Sequence, residues 1–177
     1  MWVPTDIVNV SLADNRKKSL GSFFAVQLAV QQMRKQNTPG SVVFIASITA
    51  HCNLPGYRMG GYNMSKGGVK MVSKALSSEL APHGIRVNSI SPAFIDTNQT
   101  RGAKEHTTKA AGELMNTAPP MGRIGQPDEV SPAACWFLSD ASSYVTGADI
   151  LVSRSASIFA LHNANHTIAG IWWHPYR

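Results

Sequence analysis

Ser41-Val42-Val43-Phe44-Ile45-Ala46 is a nearly continuous apolar run rich in β-branched residues. A strand buried on both faces reads this way, as in a parallel sheet covered by helices. Asn37-Thr38-Pro39-Gly40, just before it, is a stop signal. Upstream, Leu20, Phe23, Phe24, Gln27, Val30 and Met33 follow helical spacing and predict a helix from Leu20 to about Gln36. Downstream, Ser47 to Gly61 is a polar, glycine-containing loop. Val69, Val72, Leu76 and Leu80 then predict a helix from about Tyr62 to Ala81, ended by Pro82-His83-Gly84. Ile85-Arg86-Val87-Asn88-Ser89-Ile90 reads as a second strand, stopped by Ser91-Pro92. Helix, strand, helix and strand joined by short connections make an α/β pattern, with right-handed parallel crossovers expected.

The flanks are less patterned. Asp6-Ile7-Val8-Asn9-Val10 reads as a short strand. Residues 98–118 are polar and weakly periodic, which suits a mobile helical segment or a lid. Gln126-Pro127-Asp128-Glu129 places proline and acidic residues at a helix start, with the helix expected to reach about Leu138. Val145 to Gly147 reads as a turn and Ala148-Asp149-Ile150-Leu151-Val152 as a third strand. Ser153 to Arg177 gives no element, and no internal repeat is present.

At 177 residues the chain fits one domain with a real core. The formal charge of +6 reads as a solvated basic face that could attract an anionic ligand. Arg16-Lys17-Lys18 is too short a cluster for nucleic-acid binding. Cys52 and Cys135 lie in no metal-ligand spacing and are expected to be reduced, buried thiols. Met1 to Val10 lacks the basic and apolar regions of a secretory signal, so a cytoplasmic location is expected. Ser155 to Trp173 lacks charge, but His162, Asn163, Asn165 and His166 interrupt it, which argues against a membrane span.

Chemistry concentrates in Gly61-Tyr62-Asn63-Met64-Ser65-Lys66-Gly67-Gly68. Positions i and i+4 share one helix face, so Tyr62 and Lys66 can present a phenol and an ammonium to one small volume. A free tyrosine titrates at about 10, and a neighbouring cation lowers that value. The pair can then serve as a general acid or base. Ligands of open parallel sheets bind outside the carboxyl ends of the strands. Ser47 and Thr49 follow the first strand, and Pro92 to Thr97 follow the second, so all of these map to one cleft. A hydrolase is disfavoured: there is no G-x-S-x-G, and no His/Asp arrangement is suggested near Ser47. His51 reads as a polar surface residue.

Five motifs in order resemble the short-chain dehydrogenase/reductase family over roughly residues 19–152. They are Ile45-Ala46-Ser47-Ile48-Thr49, Tyr62-Asn63-Met64-Ser65-Lys66, Ile85 to Pro92, Pro92-Ala93-Phe94-Ile95-Asp96-Thr97, and Tyr144 to Ile150. The resemblance implies a Rossmann-like parallel sheet with flanking helices and hydride transfer between NADP or NAD and a carbonyl or alcohol, sugar- or polyol-like substrates included. It implies that Tyr62 is the acid/base, and that Lys66 tunes it and holds the nicotinamide ribose. It also implies a substrate-orienting hydroxyl, usually thirteen residues before the tyrosine. That position is Thr49 and is favoured, with Ser47, fifteen before, as the alternative. Pro92, Ile95 and Thr97 match the segment that packs on the nicotinamide, with Ala93 where a glycine is usual. Residues 98–118 match the variable substrate segment. Asn88 is expected to be structural, a buried amide bridging backbone groups. The helices at 20–36 and 62–81 would pair between subunits of a homo-oligomer.

The pattern also departs from the family. No glycine-rich turn leads from a strand into a helix, so the reading is a truncated sheet lacking the half that holds the adenosine. Lys18 stands where a relay asparagine is usual, and an ammonium cannot accept a hydrogen bond. The expected organisation is an atypical segment at 1–18, a partial domain at 19–152 and an atypical tail at 153–177. A truncated sheet exposes the edge of a strand suited to burial. Two readings follow: a nicotinamide-dependent oxidoreductase, or a catalytically impaired or inactive truncated family member that acts, if at all, by associating with other subunits.

Overall fold

The computed structural model describes residues 19–54, 59–105, 112, 113, 115 and 121–153. The short strand expected at 6–10, Lys18, and the tail beyond Ser153 lie outside the described residues.

The described chain is an α/β layer structure. Helix α1 (Gly21–Gln36) leads to strand β1 (Gly40–Ile45), and helix α2 (Gly60–Leu80) to strand β2 (Ile85–Pro92). Helix α3 (Asn98–Glu105) follows, then helix α4 (Ser131–Leu138) and strand β3 (Asp149–Val152). The strands form one parallel sheet in the order β1-β2-β3. Gly40 to Ile45 pairs in register with Ile85 to Ile90, and Ser89 to Pro92 with Asp149 to Val152. Short parallel strands separated by helices are what the sequence pattern predicts.

One face of the sheet carries the main core. Val42, Phe44 and Ala46 of β1 and its end, with Ile85 and Val87 of β2, pack against Val30 of α1 and Val69 and Leu80 of α2. Each fully buried aliphatic side chain contributes about 1.5–3 kcal/mol relative to exposure. The period-2 alternation explains the set: residues two apart on a strand share a face. Further along the same face the alternation continues from Val87 to Ser89 and Ser91, both buried, so the core turns polar at the strand ends.

The other face is held by β2 and α4. Arg86 donates to the carbonyls of Phe137, Ser139 and Val145 and to the Ser142 hydroxyl. Helix ends leave carbonyls without intrahelical partners, and the guanidinium fork satisfies those closing α4. Asn88, wholly buried, donates from Nδ2 to Val145 O at 2.9 Å and accepts at Oδ1 from Ala148 N at 3.0 Å. That is the bridging role expected of it. Gly147 joins the two sides. Its φ is +74°, and a Cβ there would lie 2.7 Å from Ser77 Oγ, so both backbone conformation and helix approach require glycine.

Several boundaries differ from expectation. β2 runs through Pro92, because Ala93 N donates to Val152 O and pairing continues past the proline. The helix expected from about Gln126 is split into a 3₁₀ turn, Pro127–Glu129, and α4. Pro132 has no N–H with which to continue the first turn. Within 98–118, an eight-residue helix forms at Asn98–Glu105. β1 is less covered than a strand buried on both faces, since Ile45 is 48% exposed. Cys52 is half-buried, and burial pushes its thiol up, but Cys135 is exposed rather than buried. Residues two apart lie about 200° apart around a helix, so burying Phe137 turns Cys135 outward. Among the described residues no helix is long and apolar enough to cross a membrane.

Asn88→Ala should lower stability by about 1–3 kcal/mol, because it strands the Ala148 N–H and leaves Val145 O with only its long bond from Arg86. Denaturant unfolding should show a lower midpoint at unchanged slope. A loss below about 0.5 kcal/mol would contradict the bridging role.

Candidate active site

β1 ends at the sheet's carboxyl edge, where Ala46 N donates to Ile90 O at 2.7 Å. The chain then turns through Ile48–Ala50, a single 3₁₀ turn capped by Ser47. Ser47 is extended (φ −168°), and its Oγ accepts from Thr49 N at 3.2 Å. It also accepts from Thr49 Oγ1 at 3.1 Å. Both hydroxyls are buried. Serine is favoured at such a cap because its oxygen reaches the next N–H groups.

Tyr62 and Lys66 stand in the first two turns of α2, both half-buried. Lys66 Nζ lies 5.9 Å from the Tyr62 ring centroid, at the edge of cation–π range. It also donates to Ile45 O at 2.7 Å, two residues before Ser47. The lysine thus links the helix to the end of β1.

The third wall follows β2. Phe94 to Asp96 is fixed by Gly125, through Gly125 N to Phe94 O at 2.9 Å and Asp96 N to Gly125 O at 2.8 Å. A Cβ at Gly125 would come within 2.8 Å of Ile95 Cδ1, so a larger residue there would push the Ile95 side chain aside. Thr100 donates to Ile95 O at 2.6 Å, and its N–H to Thr97 Oγ1 at 3.3 Å, which ties α3 to the same segment.

These walls enclose one cavity of about 370 Å³. Every residue singled out from the sequence lines it: Ser47, Thr49, Tyr62, Lys66, Pro92, Ile95 and Thr97. The sequence did not single out its apolar side, formed by Leu54, Met59, Phe94 and Met115, nor Gln99, Thr100, Pro127 and Val130. Met115 is almost fully buried, yet it lies in a polar, weakly periodic stretch that gives no sign of this. His51 is exposed, as expected of a surface residue, and its ring also pairs with Asp149 at 2.7 Å.

The residues at one end of the cavity fit a nicotinamide and its ribose. Pro92, Ala93 and Ile95 offer an apolar surface, and Lys66 a donor-rich cation beside it. A pyrophosphate needs close backbone approach at a glycine-rich turn. No such turn joins a strand to a helix among the described residues.

The family model described as "Enoyl-(Acyl carrier protein) reductase" matches residues 8–154. The chain belongs to the short-chain dehydrogenase/reductase family. It is 41% identical over 133 residues to the sorbose reductase of Schizosaccharomyces pombe, covering 75% of this chain and 49% of that protein. A crystal structure of a short-chain type dehydrogenase/reductase from Mycobacterium marinum superimposes with a TM-score of 0.78 at 32% identity, covering 85% and 57% of the two chains. The gluconate 5-dehydrogenase of Burkholderia cenocepacia, solved with NADP and tartrate, gives 0.74 at 25% identity, covering 89% and 58%. The chain spans about half the length of the curated relatives it matches.

Beside the cavity, Arg123 grips Glu129 through two bonds of 2.7 and 2.8 Å, and Gln126 N donates to the same carboxylate at 2.7 Å. The Arg123 bond foremost, then the Gln126 N–H, holds the Glu129 carboxyl below the usual range. A depressed carboxyl contributes stability above its unfolded pKa and loses it as pH falls through the folded value. Carbon-13 titration should therefore place Glu129 below an ordinary glutamate and, in Arg123→Ala, move it back up. An unshifted midpoint in the wild type would refute this.

Proposed function

We propose that this chain carries the catalytic centre of an NADP- or NAD-dependent oxidoreductase that interconverts a carbonyl and an alcohol on a small substrate, sugar or polyol in type. The observation that carries the reading is the hydroxyl pair facing Tyr62 and Lys66 across one cavity. Ser47 Oγ accepts from both donors of Thr49, so its own hydrogen is available to a substrate oxygen. Ser47 is thus the orienting donor, and Thr49 holds it in place. This reverses the preference that spacing alone gives.

In reduction, Tyr62 donates its phenolic proton to the substrate oxygen as charge builds there. In oxidation it accepts that proton. Lys66 keeps a positive charge beside this oxygen and fixes the helix to β1 through Ile45 O. Pro92 and Ile95 would hold the nicotinamide ring and Thr97 its carboxamide, and the bound cofactor would supply or accept the hydride. The names of the sorbose reductase and gluconate 5-dehydrogenase relatives support a sugar or polyol substrate. The cytoplasm, where both cofactors circulate, is the proposed compartment.

The partner proposed besides substrate is a second copy of the chain. Leu20, Phe24 and Leu28 are exposed one turn apart beside or along α1, and Met64 and Met71 are exposed on α2. Their spacing makes apolar stripes on the two helices expected to pair between subunits. Light scattering after size exclusion should give a dimer or larger, and Phe24→Glu with Leu28→Glu should shift it towards monomer. A monomeric wild type would refute this pairing.

Carbonyl reduction should be measurable with NADPH or NADH and a panel of ketoses. Tyr62→Phe should lower kcat by about 10²–10⁴-fold with little change in KM. Ser47→Ala should cost more than Thr49→Val. No cofactor binding up to millimolar concentration, or turnover untouched by Tyr62→Phe, would overturn the reading and leave association as the chain's role.

A further inference from the structure

His51 follows Thr49 by two residues and closes the turn that carries the site hydroxyls. Its N–H donates to Ile48 O at 3.0 Å. Its ring is held on both nitrogens. Lys70 Nζ lies 2.9 Å from Nδ1, while Asp149 Oδ2 lies 2.7 Å and Ser91 Oγ 3.2 Å from Nε2. An ammonium only donates, so Nδ1 accepts from Lys70 and the ring hydrogen sits on Nε2, aimed at Asp149. Asp149 is itself fixed. Ser91 donates to its carboxylate at 2.9 to 3.0 Å, Ser89 donates to Oδ1, and β3 pairs it with Ser89 in the sheet.

The placement is symmetric about the hydroxyls. Lys66 holds Ile45 O, two residues before Ser47, and Lys70 holds His51, two residues after Thr49. The two lysines are one turn apart on α2, and Tyr62 is one turn before them. Both ends of the segment from Ile45 to His51 are therefore pinned to the helix that presents Tyr62. At the His51 end the pin reaches on to the sheet through Asp149. Ser91 and Asp149 both meet Nε2, so this is no nucleophilic triad, in which serine and carboxylate engage opposite ring nitrogens.

We propose that His51 is a positioning residue: clamped between Lys70 and Asp149, it holds the turn bearing Ser47 and Thr49 in fixed register with Tyr62. Its catalytic consequence rests on the oxidoreductase reading above. A misplacement of about 1 Å in a reacting group can cost on the order of 10²-fold in rate. A loose turn would thus lower kcat while leaving the substrate walls of Phe94 and Leu54 in place.

Long-range proton–nitrogen NMR of the full chain should show His51 protonated at Nε2 and bare at Nδ1. A hydrogen on Nδ1 would overturn the clamp without any variant. In His51→Ala the Thr49 and Ala50 amides, which bond to Ser47 in the wild type, should exchange at least about tenfold faster, with the β2 amides unchanged. Unchanged exchange at Thr49 and Ala50 would overturn it. Lys70→Gln, a change on the helix surface, should speed the same two amides by a smaller factor, and serves if His51→Ala fails to fold. In an active wild type, His51→Ala should lower kcat about 10- to 100-fold with KM within about twofold. His51→Gln should recover most of that, since a carboxamide can donate to Asp149 and accept from Lys70. Unchanged kcat in His51→Ala would overturn the positioning role. A wild type without turnover would sink the proposed function, while the tautomer and exchange results would still decide the clamp.

Discussion

Lys66 reaches from the second turn of α2 to the Ile45 carbonyl, where β1 ends and the turn with Ser47 and Thr49 begins. That bond ties together a helix, a strand end and a loop at the mouth of the sheet. It depends in turn on α2 lying against β1 and β2, which Val69 and Leu80 secure through Phe44, Ala46 and Val87. The apolar half of α2 sets its distance from the sheet. The polar half, Tyr62, Lys66 and Lys70, can then face the strand ends without leaving water-accessible space.

The same sheet face changes chemistry along its length for a structural reason. Near the strand starts, Val42 and Ile85 belong to the apolar core with Val30 of α1 and Val69 and Leu80 of α2. Near the strand ends, the buried Ser89 and Ser91 and the half-buried Asp149 are bonded to one another and to His51. Buried polar groups persist where every member finds a partner. This polar end cap is continuous with the turn bearing the site hydroxyls. The opposite face follows another solution, in which Arg86 and Asn88 of β2 satisfy the backbone of the α4–β3 connection. Alternate residues of one strand thus organise two different layers.

Much of this was legible in the sequence. The β-branched run at 41–46 and the second strand at 85–90 announced a parallel sheet, because strands covered by helices on both faces have few polar positions. The helix carrying Tyr62 was legible from Val69, Val72, Leu76 and Leu80. The seven site residues were legible because the strand-end rule and the order of motifs place them at one edge. Asn88 could be read as structural because an amide in an apolar strand must find backbone partners. Less legible were the break before α4, set by a missing N–H at Pro132, and the outward turn of Cys135, set by which face Phe137 buries. The spacing of Leu20, Phe23, Phe24, Gln27, Val30 and Met33 predicted the helix but not which of them are covered: Val30 is buried, while Leu20 and Phe24 are exposed.

The sequence by itself determined the order of elements, the parallel pairing, the family and the residues that meet at the cavity. These depend on periodicity and on local backbone preference, which act within a few residues. Tertiary structure alone showed how the two hydroxyls of the turn bond to each other, with Thr49 spending both of its donors on Ser47. It alone joined His51 to Asp149, ninety-eight positions away, through the register of β3 against β2. Contacts of that kind leave no periodic trace, since each partner sits in its own element for other reasons and only packing brings them together.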